Sequence, residues 1–422
     1  MKTFTTYNLG CKVNAYELSA ISSLLIKEGF TEDSNNPDVV IINTCSVTAT
    51  ADQKSRQHIR KMQKLFPNAV IAVMGCYSQG NYKFLEEDIK PTILLGTSHR
   101  KDVVKLINEA LANKQNYTVV EENTRNFEYE ELGITSYTEN VRAFLKIQDG
   151  CNNFCTYCIV PYRRGKMRSR KKENVVKEAR YLVEQGYKEI VLSGIHVGGY
   201  GQDLENCSFS SLVEELTNID GLKSLRISSI EESEIDDKLI ELIQKKDNLA
   251  KHLHIPLQSG SNHVLKMMNR KYTREQFIAR VKQIKALVPD VMISGDVIVG
   301  FPQESEQDFM DTYALCEECF DMLHVFPYSQ RPGTVAARMD GQISPEVKKE
   351  RSKKLLELSD RLYAKYADRF IGQEVTVLIE KYDEKEQAYI GHTINYLEVK
   401  ILKESKVGEY KTVILQKSMI LS

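Results

Sequence analysis

The sequence predicts an α/β protein in three parts. These are a doubly wound N-terminal domain (1–114), a central partial TIM-like (βα)6 barrel ending in a helical connector (141–368), and a small C-terminal OB-like β-barrel (369–422). A linker at 115–140 separates the first two. Three observations carry this reading. At 422 residues the chain is too long for one ordinary core. Short apolar runs alternate with segments of helical period over most of its length. Towards the C-terminus that alternation gives way to short strands separated by turns.

The first domain begins with the strand TFTTYNL and the helix YELSAISSLLIKEG. DVVIINT is a fully apolar strand, followed by the basic helix ADQKSRQHIRKMQKLF. NAVIAVMG, a short helix at FLEEDI, TILLGT and the helix RKDVVKLINEALANK complete a doubly wound parallel sheet. Residues 115–140 are polar and irregular. A second βα series follows, with strands RAFLKIQ, EIVLSGI, SLRISS, HLHIPLQ, MISGDVIVG and MLHVFPY. Amphipathic helices such as KENVVKEARYLVEQG and TREQFIARVKQIKALV separate them. Six parallel strands with helices outside make a partial TIM-like barrel, whose active site lies at the C-terminal strand ends. After Ser344 a charged helix leads to EVTVLIEKYD, AYIGHTI, YLEVKIL and YKTVILQ, the pattern of an OB-like barrel.

Composition narrows the class. Hydrophobic residues are 42% and charged residues 27%, the balance of a soluble globular chain. No apolar run approaches the roughly 20 residues that span a bilayer. MKTFTTYNLGC lacks a charged leader followed by an apolar stretch, so no secretory signal and a cytoplasmic location are expected. The net charge is −1, so a nucleic-acid partner would have to be held by a local basic surface.

Nine cysteines, an odd number, point to metal or catalytic chemistry rather than disulfides. Cys11, Cys45 and Cys76 each lie just beyond a strand, and ligands bind beyond the carboxyl ends of such strands. The three should therefore converge on one sheet edge; as an alternative they are small buried residues at strand ends. Cys151, Cys155 and Cys158 form C-x3-C-x2-C at the end of the first barrel strand. Thiolates on a short loop suit an iron–sulfur cluster, and three ligands on four irons leave one iron open. A structural zinc loop lacking its fourth ligand, or three core cysteines, are the alternatives. Cys316 and Cys319 sit at C-x2-C on an amphipathic helix with no further ligand nearby, which reads as core packing. Cys207, in a polar loop, takes no role.

The loop CNNFCTYC resembles the signature of radical S-adenosylmethionine enzymes. With LGCKVNAYE, NTCSV, MGCYSQ, CNNFCTYCIVPYRRGKMRSR, GIHVGGYGQD, HIPLQSGSNHVLKMMNRKYT and GDVIVGFPQE, essentially the whole chain is similar to the methylthiotransferases of that superfamily. LGCKVN, GIHVGGYG and MNRKYT look most like the branch acting on N6-threonylcarbamoyladenosine next to the tRNA anticodon. Sister branches act on isopentenyl-adenosine in tRNA or on an aspartate of a ribosomal protein. Asn8 stands where many members of the first branch have Thr. No hydrophobic anchor follows the terminal barrel, as expected of a bacterial-type soluble enzyme.

The resemblance implies two [4Fe–4S] clusters. One, on Cys151, Cys155 and Cys158, chelates S-adenosylmethionine at its open iron and cleaves it to a 5′-deoxyadenosyl radical. The other, on Cys11, Cys45 and Cys76, delivers sulfur. A first S-adenosylmethionine methylates that sulfur, and a second generates the radical that abstracts hydrogen from adenine C2. That C2–H is too weakly acidic for an ordinary base, so no triad is assigned to His196, His252 or His254. An external electron donor of flavodoxin or ferredoxin type is implied, as is a terminal barrel resembling the RNA-binding TRAM domain. A rival of another class is a non-catalytic zinc-dependent RNA-binding protein.

The strand tails SSIEES, LQSGS and VGFP would ring the barrel mouth. There Gly194 and Gly300 permit close backbone approach, and Ser229, Gln258 and Ser259 offer hydrogen bonds to S-adenosylmethionine. Ordinary turn chemistry accounts for the same residues. Arg163, Arg164, Lys166, Arg168, Arg170, Lys171 and Lys172, with Tyr162 at the edge, form a basic run suited to phosphate contacts with tRNA; the alternative is a solvated helix start. A target adenine in a single-stranded loop can be splayed into a pocket without melting a duplex.

Overall fold

A computed structural model of the chain describes residues 2–133 and 141–421. The N-terminal part is one parallel sheet built from β1 (Thr3–Asn8), β2 (Thr31–Glu32), β3 (Val39–Thr44), β4 (Val70–Gly75), β5 (Ile93–Leu95) and β6 (Tyr117–Val119). Helices α1 (Lys12–Lys27), α2 (Ala49–Leu65), α3 (Cys76–Phe84) and α4 (Val103–Asn113) connect the strands. The alternation within VVIIN explains the two helical layers. Val39 and Ile41 pack with Leu18, Ile21 and Ile107, whereas Val40 and Ile42 pack with Ile59, Met62 and Tyr77 on the other face.

The strand order is β2-β1-β3-β4-β5-β6. It reverses between β1 and β3, where a doubly wound sheet opens its ligand crevice. The strand β6 lies inside the stretch 115–140 expected as a linker. Three residues between polar flanks are too few to stand out as a strand; pairing with β5 holds them in place. Beyond β6 the chain straps the domain junction: the Tyr129 hydroxyl donates to the Lys146 carbonyl at 2.8 Å, and Glu131 accepts from Arg170 at 2.8 Å. The rest of that expected linker, 134–140, lies outside the described residues.

The central part begins with β7 (Arg142–Lys146), followed by the short pair β8 (Gln148–Asp149) and β9 (Arg168–Ser169) flanking α5 (Val160–Arg164). Then come α6 (Lys172–Glu184), β10 (Glu189–Ser193), α7 (Phe209–Thr217), β11 (Ser224–Ile227), α8 (Asp237–Lys245) and β12 (His252–His254). The series closes with α9 (Asn262–Met267), α10 (Arg274–Leu287), β13 (Met292–Val299), α11 (Glu306–Cys319), β14 (Met322–Pro327) and α12 (Pro345–Asp368). Strands β7, β10 and β11 form one parallel half and β12, β13 and β14 the other. Parallel bridges at Leu225–Leu249 and Ser229–His254 join the halves into a six-stranded partial barrel. Its core lies between strands and helices, with Leu145, Ile190, Leu225, Leu253 and Ile293 all fully buried.

The C-terminal part is one antiparallel sheet of β15 (Glu374–Asp383), β16 (Ala388–Thr393), β17 (Glu398–Ile401) and β18 (Tyr410–Ile414), in the order β17-β16-β15-β18. Its edge strands are not paired with each other among the described residues, so the closed barrel expected there is observed as a four-stranded sheet. It caps the end of the barrel at which the strands begin. Met292 joins its core with Tyr363, Tyr366 and Val377, and Tyr396 stacks between His252 (4.4 Å) and His392 (4.7 Å). No helix among the described residues is long and apolar enough to cross a membrane.

Candidate active site

The loop carrying Cys151, Cys155 and Cys158 leaves the C-terminal end of the first barrel strand, held at both ends by backbone. Gly150 has φ +70°, and a Cβ there would sit 2.0 Å from the Lys166 carbonyl, so only glycine fits. The Cys151 amide donates to the Gly165 carbonyl at 3.1 Å. Thr156 donates from its amide to Met268 (3.1 Å) and from its hydroxyl to Met267 (2.9 Å), tying the loop to the end of α9. The three sulfurs share one electrostatic environment: burial pushes the Cys151 thiol up to about 11 and Cys158 up to about 12, and Cys155 adds to both. Arg270, in the stretch MNRKYT, places Nη1 3.6 Å from Cys155 Sγ and pairs with Glu231.

Cys11, Cys45 and Cys76 meet at the crevice the strand order creates. Cys11 precedes α1, Cys45 follows β3, and Cys76 opens α3 after Gly75, whose φ of +107° and close approach to Thr44 exclude a side chain. Burial pushes the Cys45 thiol up to about 11, and Cys76 and Cys11 add to that rise. Asn14 fastens the crevice, accepting from Cys11 Sγ (3.2 Å) and donating to Asn43 (2.6 Å) and the Thr44 carbonyl (3.1 Å).

Between the triads runs a buried ionic network. Arg164, at the end of the five-residue α5 that follows Cys158, is fully buried and donates from Nε to Cys76 Sγ at 3.2 Å. A helix of that length spans about 7 Å, so one short element bridges the two cysteine sets. Arg164 Nη1 lies 2.7 Å from Glu17 and 3.2 Å from Asp149. Glu17 also takes Lys146 at 2.9 Å and Arg100; Asp149 takes Lys146 at 2.6 Å and Arg168 at 3.1 Å. These cations outweigh the burial of Glu17 and hold its carboxyl far below the ordinary range.

Both triads fit clusters by donor chemistry. Each offers thiols with a guanidinium against one sulfur, an environment for an anionic sulfur assembly. Buried thiols whose pKa is raised ionise at neutral pH only when a metal takes the place of the proton. Among the described residues no three His, Cys, Asp or Glu side chains are set to hold a single metal ion.

The residues expected to contact S-adenosylmethionine divide. Gly194 abuts Gln148, whose Oε1 accepts from the Ile195 and His196 amides (3.0 and 2.8 Å) while Nε2 donates to the Asp149 and Gly150 carbonyls. Gln148, unnoticed in the sequence, thereby ties the cysteine loop to the tail of β10. Gln258 has φ +64° and no side-chain hydrogen bond among the described residues. Ser259, by contrast, is buried and turned 3.2 Å from Thr312, and a Cβ on Gly300 would strike Lys348 of α12; both serve packing here. Ser229 bridges to His254 and lines the barrel interior.

The basic run is corrected more sharply. Arg164, Arg168 and Arg170 are buried and paired, Arg170 with Glu131 and with Glu178 at 2.7 Å, so they are not a phosphate surface. Arg163 is half-buried against Gly80, and Lys172 pairs with Glu215 at 3.1 Å. Lys166 and Lys171 are exposed. Beside them Phe154 and Tyr162, 45% and 48% exposed, meet edge to face at 5.7 Å. His196 pairs with Glu234 at 2.5 Å, and Cys316 and Cys319 are buried in the barrel core, as their helical spacing predicts.

The barrel and thiol loop define a radical S-adenosylmethionine protein. Residues 145–316 match the Radical SAM superfamily, and residues 3–96 match Uncharacterized protein family UPF0004. Among solved structures the fold is shared with the radical S-adenosylmethionine methyltransferase TsrM from Kitasatospora setae. That comparison has TM-score 0.60 and 15% identity, covering 80% of this chain and 77% of that one. The chain is 45% identical to threonylcarbamoyladenosine tRNA methylthiotransferase MtaB of Bacillus subtilis (strain 168), over 94% of this chain and 90% of that protein. It is 36% identical to MtaB of Aquifex aeolicus (strain VF5), over 96% and 98%. It is 39% identical to the tRNA-2-methylthio-N(6)-dimethylallyladenosine synthase of Thermoanaerobacter pseudethanolicus, over 88% and 80%. The chain belongs to the radical S-adenosylmethionine methylthiotransferase family.

Proposed function

We propose that this enzyme converts N6-threonylcarbamoyladenosine next to the tRNA anticodon to its 2-methylthio derivative. The observation that carries the reading is the meeting of two cysteine triads at one domain junction, linked by Arg164. Cys151, Cys155 and Cys158 would hold one [4Fe–4S] cluster, and Cys11, Cys45 and Cys76 the other. When bound, these groups and S-adenosylmethionine supply the sulfur, the methyl group and a hydrogen-abstracting radical.

The chain's own residues bind, orient and exclude water. Arg270 and Arg164 each lie against one sulfur, and Gln148 fixes the loop to the neighbouring strand tail. The free amide of Gln258 at the strand tails is suited to S-adenosylmethionine. Exposed Phe154 and Tyr162 offer faces on which splayed bases stack, and Lys166 and Lys171 supply cations for phosphates. Residues 369–422 serve as a TRAM-like RNA-binding module, an external flavodoxin- or ferredoxin-like donor supplies electrons, and the enzyme works in the cytoplasm. The 45% identity to the Bacillus subtilis MtaB, against 39% to the dimethylallyladenosine synthase of Thermoanaerobacter pseudethanolicus, favours the threonylcarbamoyl nucleoside over the dimethylallyl one.

Mass analysis of tRNA nucleosides from a strain lacking the gene tests this. Loss of 2-methylthio-threonylcarbamoyladenosine is expected. Its persistence, with loss of the methylthio group from isopentenyl-adenosine or a ribosomal protein aspartate, would contradict the assignment.

A further inference from the structure

Inside the partial barrel lies a cavity of about 180 Å³ running from the strand tails at Ser229 and His254 to the Tyr396 cap. Its charged lining is cationic: Lys12, Arg142 and Arg226 face it together with His252, His254 and His324, and no carboxylate lines it. Behind the wall, Glu189 lies 3.2 Å from Arg226 and 3.7 Å from Arg142, and Glu380 lies 2.8 Å from Arg142. Asp296 lies 3.2 Å from His254. Both arginines are therefore matched. Lys12 is not: it is exposed where it lines the cavity, and it forms no ion pair or hydrogen bond among the described residues. His252 Nδ1 is buried and likewise without a partner, although Nε2 lies 2.8 Å from Ser294. A free ammonium and a buried, unpartnered ring nitrogen lining one cationic cavity suit an anion that can also accept or donate a hydrogen bond.

We propose that this cavity receives the carboxylate of the threonyl group on the target nucleoside, with Lys12 as its ion partner and hence a specificity-determining residue. The inference rests on the nucleoside reading above and deepens it. Lys12 directly follows Cys11, so an anchored carboxylate holds the attached base near the triad that Cys11 belongs to. A dimethylallyl group is a hydrocarbon. It would forgo the Lys12 ion pair and leave the buried His252 Nδ1 without a partner, which is how a site built for a polar group rejects an apolar one.

The test uses the full chain, reconstituted anaerobically, and two anticodon stem-loops. One carries N6-threonylcarbamoyladenosine and the other its threoninamide analogue, in which an uncharged amide replaces the carboxylate. Equilibrium binding should favour the carboxylate by about tenfold or more. Lys12→Met should bring both RNAs to the weaker level, and Lys12→Arg should restore the preference. Equal binding of the two RNAs by the natural protein, or a preference that survives Lys12→Met, overturns the subsite and leaves the nucleoside reading standing. Binding of neither RNA overturns both. S-adenosylmethionine also carries a carboxylate. If Lys12→Met weakens its binding measured without RNA and leaves the RNA preference intact, the cavity serves the cofactor and the proposal is wrong.

Discussion

At the scale of single residues, the site depends on charges removed from water. Arg164 is the clearest case, because one guanidinium meets Cys76, Glu17 and Asp149 with no exposed surface. Replacing it with Met leaves two buried carboxylates short of a partner, and breaking such a pair costs about 3–5 kcal/mol. Arg164→Met should therefore lower the urea unfolding midpoint substantially, whereas exposed Lys166→Met should change stability by no more than about 0.5 kcal/mol. Equal effects would show that the buried network is not what holds the junction. The sequence does not distinguish these two residues. A run of arginines and lysines reads alike whether it faces water or distant acids, and Glu17 lies far earlier in the chain. The grouping of six cysteines into two triads was legible because strand ends and loop spacing place them; the arginines beside them were not.

At the scale of elements, legibility follows burial. VVIIN and AVIAVMG read as strands because both faces are apolar, and β3 and β4 are buried throughout. The two-residue strands β8 and β9 and the three-residue β6 left no periodic trace, yet the first two bracket the cysteine loop. Helix α11 shows how an element's end is fixed. Ser305 and Asp308 form a capping box, and Asp308 also accepts from Ser261 and His263. Burial alone would raise the Asp308 carboxyl, but hydrogen bonds from Ser261 and Ser305 outweigh it and bring it to about 2. The folded value lies below the unfolded one, so the contribution is full above the unfolded value and is lost as pH falls through about 2. The stability advantage over Asp308→Asn should be constant from about pH 7 to 5 and shrink below about pH 4. A gap that stays constant to about pH 3 in denaturant titrations would refute that origin.

At the scale of the whole molecule, three parts converge on one barrel. The doubly wound domain brings its crevice to the junction beside the cysteine loop, and the C-terminal sheet caps the other end through Tyr396, Arg142–Glu380 and the Met292 cluster. Domain order and the barrel were readable from alternating strands and helices. The cationic interior was not, because Lys12, Arg226, His252 and His324 come from separate elements and meet only once the barrel closes around them. The central claim is that this assembly holds two separate iron–sulfur clusters on two thiol triads. Anaerobic reconstitution followed by iron and sulfide counting tests it most directly. About eight irons and eight sulfides per chain are expected, falling to about four of each when either Cys11, Cys45 and Cys76 or Cys151, Cys155 and Cys158 are all replaced by Ala. Zinc in place of iron, or an iron content that either triple replacement leaves unchanged, would contradict the account.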